Sequence, residues 1–325
     1  MKTFESFLAP QLDEFIAYRQ NLGYSIKPVR SYLLRFDRFV KDKKIKPGVL
    51  LTPSFFLDLR NSLKMEPMSI NGVLSAVRVF FNFMVRMDYY TANPLKDIPP
   101  VPEHSFAPFI FSPEQTEQLI EALCNRIRKE SRYYLKDLSE YMAIVLIARC
   151  GLRIKEPLRL KLHHYRCRER TIYIEKTKFN KDRLIPVPNS VALELDNYLS
   201  VRNALMSEDQ NPYLFVKNNQ KGLTDTRLRF IFHRAVHDIG IDRPRQVIGH
   251  MIFASPTPHS LRHSFAVNNL KRVKERGNCP KQALPVLAAY MGHRVFQYTA
   301  KYLKFIDAEQ RQGLFDFAIS QKVDI

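Results

Sequence analysis

At 325 residues, 45% hydrophobic and 12% aromatic, the chain has enough apolar mass for two ordinary domains and is not a disordered polymer. Lys and Arg number 51 against 32 Asp and Glu, a formal net charge of +19. A compact chain tolerates that self-repulsion best beside a polyanion, so nucleic acid is the expected partner. An anionic membrane surface is disfavoured, because the basic residues run along the whole chain and not along one amphipathic helix.

The N-terminus, MKTFESFLAPQLDEF, carries acidic residues where a signal peptide needs an apolar core. Apolar residues then recur three and four apart, at Leu12, Phe15 and Ile16 and at Val29, Tyr32, Leu33, Phe36, Phe39 and Val40, which predicts helices with one apolar face each. Gly23 and Lys46-Pro47-Gly48 punctuate them, and 53–63 and 70–87 predict two more helices. About four such helices cover one another's faces as a bundle. After Asn93-Pro94, residues 97–111 contain Pro99, Pro100, Pro102 and Pro108, a density that stops helices and predicts an interdomain linker. Ser112-Pro113-Glu114-Gln115 then supplies an N-cap, a proline at the first helical position and a capping-box partner. A helix is expected over 135–150; its apolar run, 141–148, is the longest in the chain and far too short to span a bilayer.

The periodicity changes after that helix. Residues 171–175 (TIYIE) and 183–187 (RLIPV) are short and β-rich, and the polar stretch between them predicts a hairpin. Helical patterns resume at Ser190 and run to the C-terminus, broken by turns such as Lys221-Gly222. The fold class expected is mainly α (α+β), a helical N-terminal bundle followed by a mostly helical domain with a small antiparallel sheet. Cys124, Cys150, Cys167 and Cys279 form no C-x-x-C pair, which argues against a zinc ribbon and a disulfide framework. A soluble, cytoplasmic protein with no membrane segment is expected.

Four stretches converge on one chemistry: GLRIKE at 151–156, KTKFNKDRLIPVP at 176–188, TPHSLRHSFA at 257–266 and YMGHRVFQYTAKYLKF at 290–305. In-line cleavage of a phosphodiester needs fixed cationic donors on the nonbridging oxygens, and arginine's planar fork suits them; Arg153 and Arg262 could supply two. Lys178 could protonate the leaving oxygen, His259 could accept the proton of Tyr302, Tyr302 could attack, and His293 could donate to the phosphate. Each residue has a plainer reading. Arg153 could be a solvated charge, Lys176 and Lys181 share the loop of Lys178, and Tyr290 and Tyr298 compete with Tyr302. Glu156 reads as structural, orienting Arg153 or a histidine, and His163-His164 reads as surface.

Taken in order, Arg153, Lys178, His259-x-x-Arg262, His293 and Tyr302 resemble the catalytic set of the tyrosine recombinases, the phage integrase family. GLRIKE resembles that family's G-L-R-x-x-E box, HSLRHSFA its H-x-L-R-H-x-x-A box, and MGH with a tyrosine nine residues beyond the histidine its nucleophile box. That spacing selects Tyr302 over Tyr298; the family's hairpin lysine precedes a K-x-R-x-x-P stretch, and K-F-N-K-D-R-L-I-P resembles this and selects Lys178 over Lys176. The resemblance implies a site-specific recombinase that cleaves and rejoins DNA through a 3′-phosphotyrosine intermediate, with no cofactor, metal or ATP. It assigns 1–96 to a core-binding (SAM-like) DNA-binding domain, 97–111 to the linker and 112–325 to the catalytic domain with its C-terminal tail. It further implies a clamp around double-stranded DNA, a tetramer on two DNA sites, possible sibling recombinases as partners, and a nucleoid-associated place in the bacterial cytoplasm.

Two departures qualify the resemblance. KRVKERGNCPK at 271–281 looks like an insertion and points to a transposon-associated, mobile-element subgroup. An extra N-terminal domain of the arm-binding kind is not expected. The tail beyond Tyr302, with Phe305, Ile306, Leu314, Phe315, Phe317 and Ile319, fits docking on a neighbouring subunit and docking on its own domain equally well. The rival activities are a silenced DNA-binding relative, a type IB topoisomerase, and a metal-dependent hydrolase built on His259, His263 and His293; the last lacks H-E-x-x-H and has Arg262 between its histidines.

Overall fold

The structure is a computed structural model, described here for residues 3–175, 182–206, 211–218, 221–293 and 295–306. The chain divides into two compact units, Met1–Ser105 and Phe106–Ile325. Lys178 and the tail beyond Ile306 lie outside the described residues.

The first unit holds α1 (Ala9–Asn21), α2 (Lys27–Asp42), α3 (Pro53–Ser62) and α4 (Pro67–Arg86), and each helix has a proline in its first turn, where the missing N–H costs nothing. Their apolar faces meet in a phenylalanine cluster. Phe15 sits 5.6 Å from Phe80 and Phe56 5.1 Å from Phe81, both edge-on, the arrangement the ring quadrupole favours. Asp37 is buried because its carboxylate accepts the backbone N–H groups of Glu5 (2.8 Å) and Ser6 (3.0 Å), tying the N-terminal segment to α2. Among the described residues α4 is the one helix long and apolar enough to cross a membrane, yet Ile70, Val73, Val77, Phe80 and Met84 are buried in this bundle's core. Part of the proline-rich stretch belongs to the same core: Ile98 is buried there, and Arg78 and Asn71 of α4 donate to the carbonyls of Ile98 and Val101.

In the second unit β1 (Ser105–Ala107) leads to α5 (Pro113–Cys124), whose capping box forms as the sequence predicts: Ser112 Oγ accepts from Gln115 N, and Gln115 Oε1 accepts from Ser112 N. Next comes α6 (Ser131–Arg149), the spine of the unit, with every residue from Met142 to Ala148 buried. The strands β2 (Tyr165–Arg166), β3 (Thr171–Ile174) and β4 (Arg183–Pro186) form an antiparallel sheet in which Ile172 faces Ile185. Then follow α7 (Asn189–Leu205), β5 (Val216–Asn218), β6 (Lys221–Gly222), α8 (Asp225–Asp238), β7 (Gln246–Ile248), β8 (Met251–Phe253), α9 (Pro258–Glu275), α10 (Pro280–Met291) and α11 (Gln297–Ala300).

Two sequence expectations change. The hairpins β5–β6 and β7–β8 interrupt a region read as helices and turns, because strands of two or three residues are too short to show alternation. His164 is 2% exposed and not a surface residue: its Nδ1 accepts from Lys161 N, and its ring lies edge-on to Tyr173. Residues 271–281 continue α9 to Glu275, turn, and open α10 at Pro280.

Candidate active site

The site grows from the end of α6. Gly151 stands at φ +60, and a Cβ there would lie 2.4 Å from the Phe265 ring on α9, so both the turn and the close helix approach need glycine. The turn delivers Arg153. Its backbone N–H and Nη1 donate to the two oxygens of Glu156 (2.8 and 2.9 Å), and its Nη2 donates to the Gly292 carbonyl (2.8 Å). Arg183, at the start of β4, forks onto the same carboxylate (3.0 and 2.9 Å) and donates from Nε to the Tyr290 carbonyl (2.9 Å). Arg262, on α9 and 1% exposed, donates to the carbonyls of Gly151 and Met291.

Arginines thus take three successive carbonyls at the end of α10: Arg183 on Tyr290, Arg262 on Met291 and Arg153 on Gly292. A helix end leaves such carbonyls without intrahelical partners, and its dipole favours cations, so one arrangement satisfies the helix and fixes the guanidinium groups. Glu156 supplies one negative charge against three positive ones. Burial alone would raise the Glu156 carboxyl, but Arg183 and Arg153 hold it below the usual carboxylate range. Burial and then the neighbouring Arg153 push the Arg262 guanidinium down to about 9, still cationic at neutral pH.

Beyond Gly292 the chain places His293 and Tyr302 against α9. His259 and His263, one turn apart on that helix, pack edge to face with ring centroids 4.5 Å apart. The Tyr302 hydroxyl meets His263 Nδ1 at 2.8 Å, so its partner is His263 and not His259. The ring of His293 lies 6.5 Å from that of Tyr302, and its Nδ1 is 2.8 Å from Thr299 Oγ1. Burial pushes His263 down to about 3 and His293 down to about 4, and the adjacent Arg262 adds to both shifts. Lost hydration, then Arg262 and Arg153, also lower His259, whose solvent exposure leaves the charges as the firmer cause. Burial raises the Tyr302 phenol, an effect Arg262 and Arg153 only partly offset. At neutral pH the site is therefore a set of neutral imidazoles and a neutral phenol beside fixed guanidinium charge.

Of the residues singled out from sequence, Arg153, His259, Arg262, His293 and Tyr302 come together here. The competing tyrosines go elsewhere. Tyr298 is 56% exposed, and Tyr290 stacks on Phe265 and donates to the Pro186 carbonyl. Sequence reasoning passed over Arg183 and Thr299, and weighed His263 only as a metal ligand. Arg183 was visible as the arginine of K-F-N-K-D-R-L-I-P; Thr299 carries no sequence signal. Among the described residues no group of three or more His, Cys, Asp and Glu side chains is placed to hold a metal ion.

The phage integrase family model matches residues 110–309. The chain belongs to this family, the tyrosine recombinases. As such it is a site-specific recombinase, an enzyme of DNA strand transfer. It is 27% identical over 293 residues to a Sinorhizobium fredii protein named as an integrase/recombinase, covering 90% of this chain and 91% of that one. Tyrosine recombinase XerA of Pyrococcus furiosus is 26% identical over 312 residues, with 94% of both chains covered. The fold is that of XerH bound to palindromic difH substrate (TM-score 0.66, 18% identity, 94% of this chain and 83% of that one).

Proposed function

We propose that this recombinase cleaves and rejoins duplex DNA with Tyr302 as nucleophile and Arg153, Lys178, His259, Arg262 and His293 as the groups that bind the scissile phosphate and move its protons. The observation that carries this reading is the Tyr302 hydroxyl held on α9 beside guanidinium groups already fixed by backbone carbonyls. Charge fixed before the reaction stabilises the oxygens of the transition state without reorganisation, and one such donor is typically worth about 3–4 kcal/mol. Arg153 and Arg262 would take the nonbridging oxygens, with His259 and His293 donating beside them. Lys178 would protonate the departing 5′ oxygen, leaving a 3′-phosphotyrosine. The phosphotyrosine bond conserves the energy of the phosphodiester, so rejoining needs no ATP.

Residues 1–96 would then grip DNA as the core-binding domain, 97–111 would link, and 112–325 would cut. Lambda integrase is known as a dimer on a core site and as a tetramer on a Holliday junction, which supports a tetramer on two DNA sites here. The Tn1549 transposon integrase, 20% identical, is known with circular intermediate DNA, in keeping with a mobile-element role in the bacterial cytoplasm; sibling recombinases would be partners. Covalent trapping on nicked suicide substrates from the gene's own neighbourhood, in EDTA, tests the chemistry. Wild type should give a denaturation-resistant adduct at the 3′ phosphate that Tyr302→Phe lacks. An adduct formed by Tyr302→Phe would overturn the assignment.

A further inference from the structure

We propose that His263 is the base that receives the Tyr302 proton during attack, a proposal that rests on Tyr302 being the nucleophile. The geometry singles it out. Its Nδ1 lies 2.8 Å from the phenolic oxygen, its ring is tilted 59° to the tyrosine ring at 5.7 Å, and it is carried on the second turn of α9. A base must reach the proton it takes, and among the described histidines His263 alone has a hydrogen bond to Tyr302. His293 spends its Nδ1 on Thr299, and the His259 ring packs edge to face on that of His263.

The step balances as follows. The Tyr302 oxygen forms its bond to phosphorus, the bond from phosphorus to the 5′ oxygen breaks, and the phenolic proton passes to Nδ1, leaving His263 as imidazolium. The 5′ oxygen takes its proton from the acid proposed at Lys178. Rejoining runs the transfer backwards.

The surroundings make this base conditional on DNA. In the free protein His263 is faced by His259 and Arg262 of its own helix, by His293 beyond α10 and by Tyr302, and burial and positive charge keep it unprotonated. The raised phenol and lowered imidazole therefore rest as a neutral pair. A phosphodiester among Arg153 and Arg262 brings negative charge to the same cluster, which favours the imidazolium and offsets the charges that opposed it. Proton transfer becomes accessible when substrate arrives, and the unoccupied enzyme does not expose a reactive phenolate.

Single-turnover adduct formation on a nicked substrate is the test, run on wild type, His263→Asn, His263→Ala, His259→Asn and Lys178→Ala. Removing a base costs typically about 10²–10⁴-fold, so both His263 variants should lose that much while still binding DNA. A 5′-bridging phosphorothiolate, whose sulfur leaves without a proton, should restore Lys178→Ala and leave the His263 variants slow. In wild type and His259→Asn the rate should fall at low pH along a unit-slope limb. His263→Asn at near wild-type rate would reduce His263 to a hydrogen-bond contact. Phosphorothiolate rescue of His263→Ala would move it to the leaving group. Loss of the acid limb in His259→Asn would give the role to His259. If a His263 variant does not fold, that limb in the other two proteins still decides. An adduct with Tyr302→Phe would instead be a failure of the nucleophile assignment.

Discussion

Arg183 and Glu156 meet in a two-bonded fork, 3.0 and 2.9 Å, with both side chains nearly buried, at 9% and 8% exposure. The same guanidinium reaches the Tyr290 carbonyl, and the same carboxylate reaches Arg153. A hairpin strand, the turn after α6 and the end of α10 are thereby held by one anion, and the orientation of Arg153 depends on a pair that itself faces away from solvent.

Glu156→Gln keeps the shape of that anion and removes its charge. Taking one partner from a buried pair leaves the others uncompensated, at a cost of about 3–5 kcal/mol. Urea denaturation should show a loss of that size, and adduct formation should fall with it because Arg153 loses its anchor. Arg183→Lys retains the charge but not the fork, and should lie between wild type and Glu156→Gln on both measures.

Gly151→Ala and Gly292→Ala separate two kinds of positive-φ glycine. Both stand in the left-handed region, where a Cβ costs about 1–2 kcal/mol. At Gly151 the new methyl would also meet the Phe265 ring at 2.4 Å, inside the α6–α9 contact. At Gly292 the nearest atom is Arg183 Nη1 at 3.0 Å, a contact relieved by a few tenths of an ångström. Calorimetry should therefore find Gly151→Ala the more destabilised of the two, by roughly 1–3 kcal/mol for the overpacking.

That contrast marks how far the sequence reaches. The G-L-R-x-x-E box announces Gly151 and Arg153, and helical periodicity with a capping box places α1–α6 within a few residues. Local patterns carry those features. The pairing of Tyr302 with His263, and of Arg183 with Glu156, joins residues 39 and 27 apart across three-dimensional contacts, and no local pattern encodes them. The burial of His164 was hidden for the same reason: what covers its ring is a strand that the sequence around it does not name.

Acid should weaken the fold earlier than carboxylate protonation alone would. His263 and His293 have folded values of about 3 and about 4 against an ordinary 6.5, so below that ordinary value the unfolded chain binds protons that the folded chain refuses. Stability therefore falls as pH drops from 6.5 toward 4, at a rate approaching roughly 1.4 kcal/mol per pH unit for each histidine. Glu156 acts in the same direction at lower pH: its stabilisation is present above the ordinary carboxyl value of 4.5 and fades as pH falls through its depressed folded value. Urea midpoints between pH 7.5 and 4.5 should decline steeply in wild type and more gently in His263→Asn. Equal slopes for the two proteins would contradict a buried neutral His263.

Thr299→Val tests how His293 is oriented. Thr299 is fully buried, with Oγ1 2.8 Å from His293 Nδ1. If the hydroxyl donates to Nδ1, the ring proton must sit on Nε2, the nitrogen left to donate to a phosphate oxygen; which nitrogen carries the proton is set by the bond the other one makes. Valine has the same outline and no hydroxyl, so the ring would keep its place and lose its preferred tautomer. Leaving a buried polar atom unpaired costs about 1–3 kcal/mol, which corresponds to a roughly 10–100-fold drop if it falls on the transition state. Single-turnover cleavage should fall within that range at unchanged DNA affinity, and Thr299→Ser should restore most of it. A valine variant that cuts as fast as wild type would mean that His293 reaches the phosphate without help from Thr299, held by the end of α10 alone.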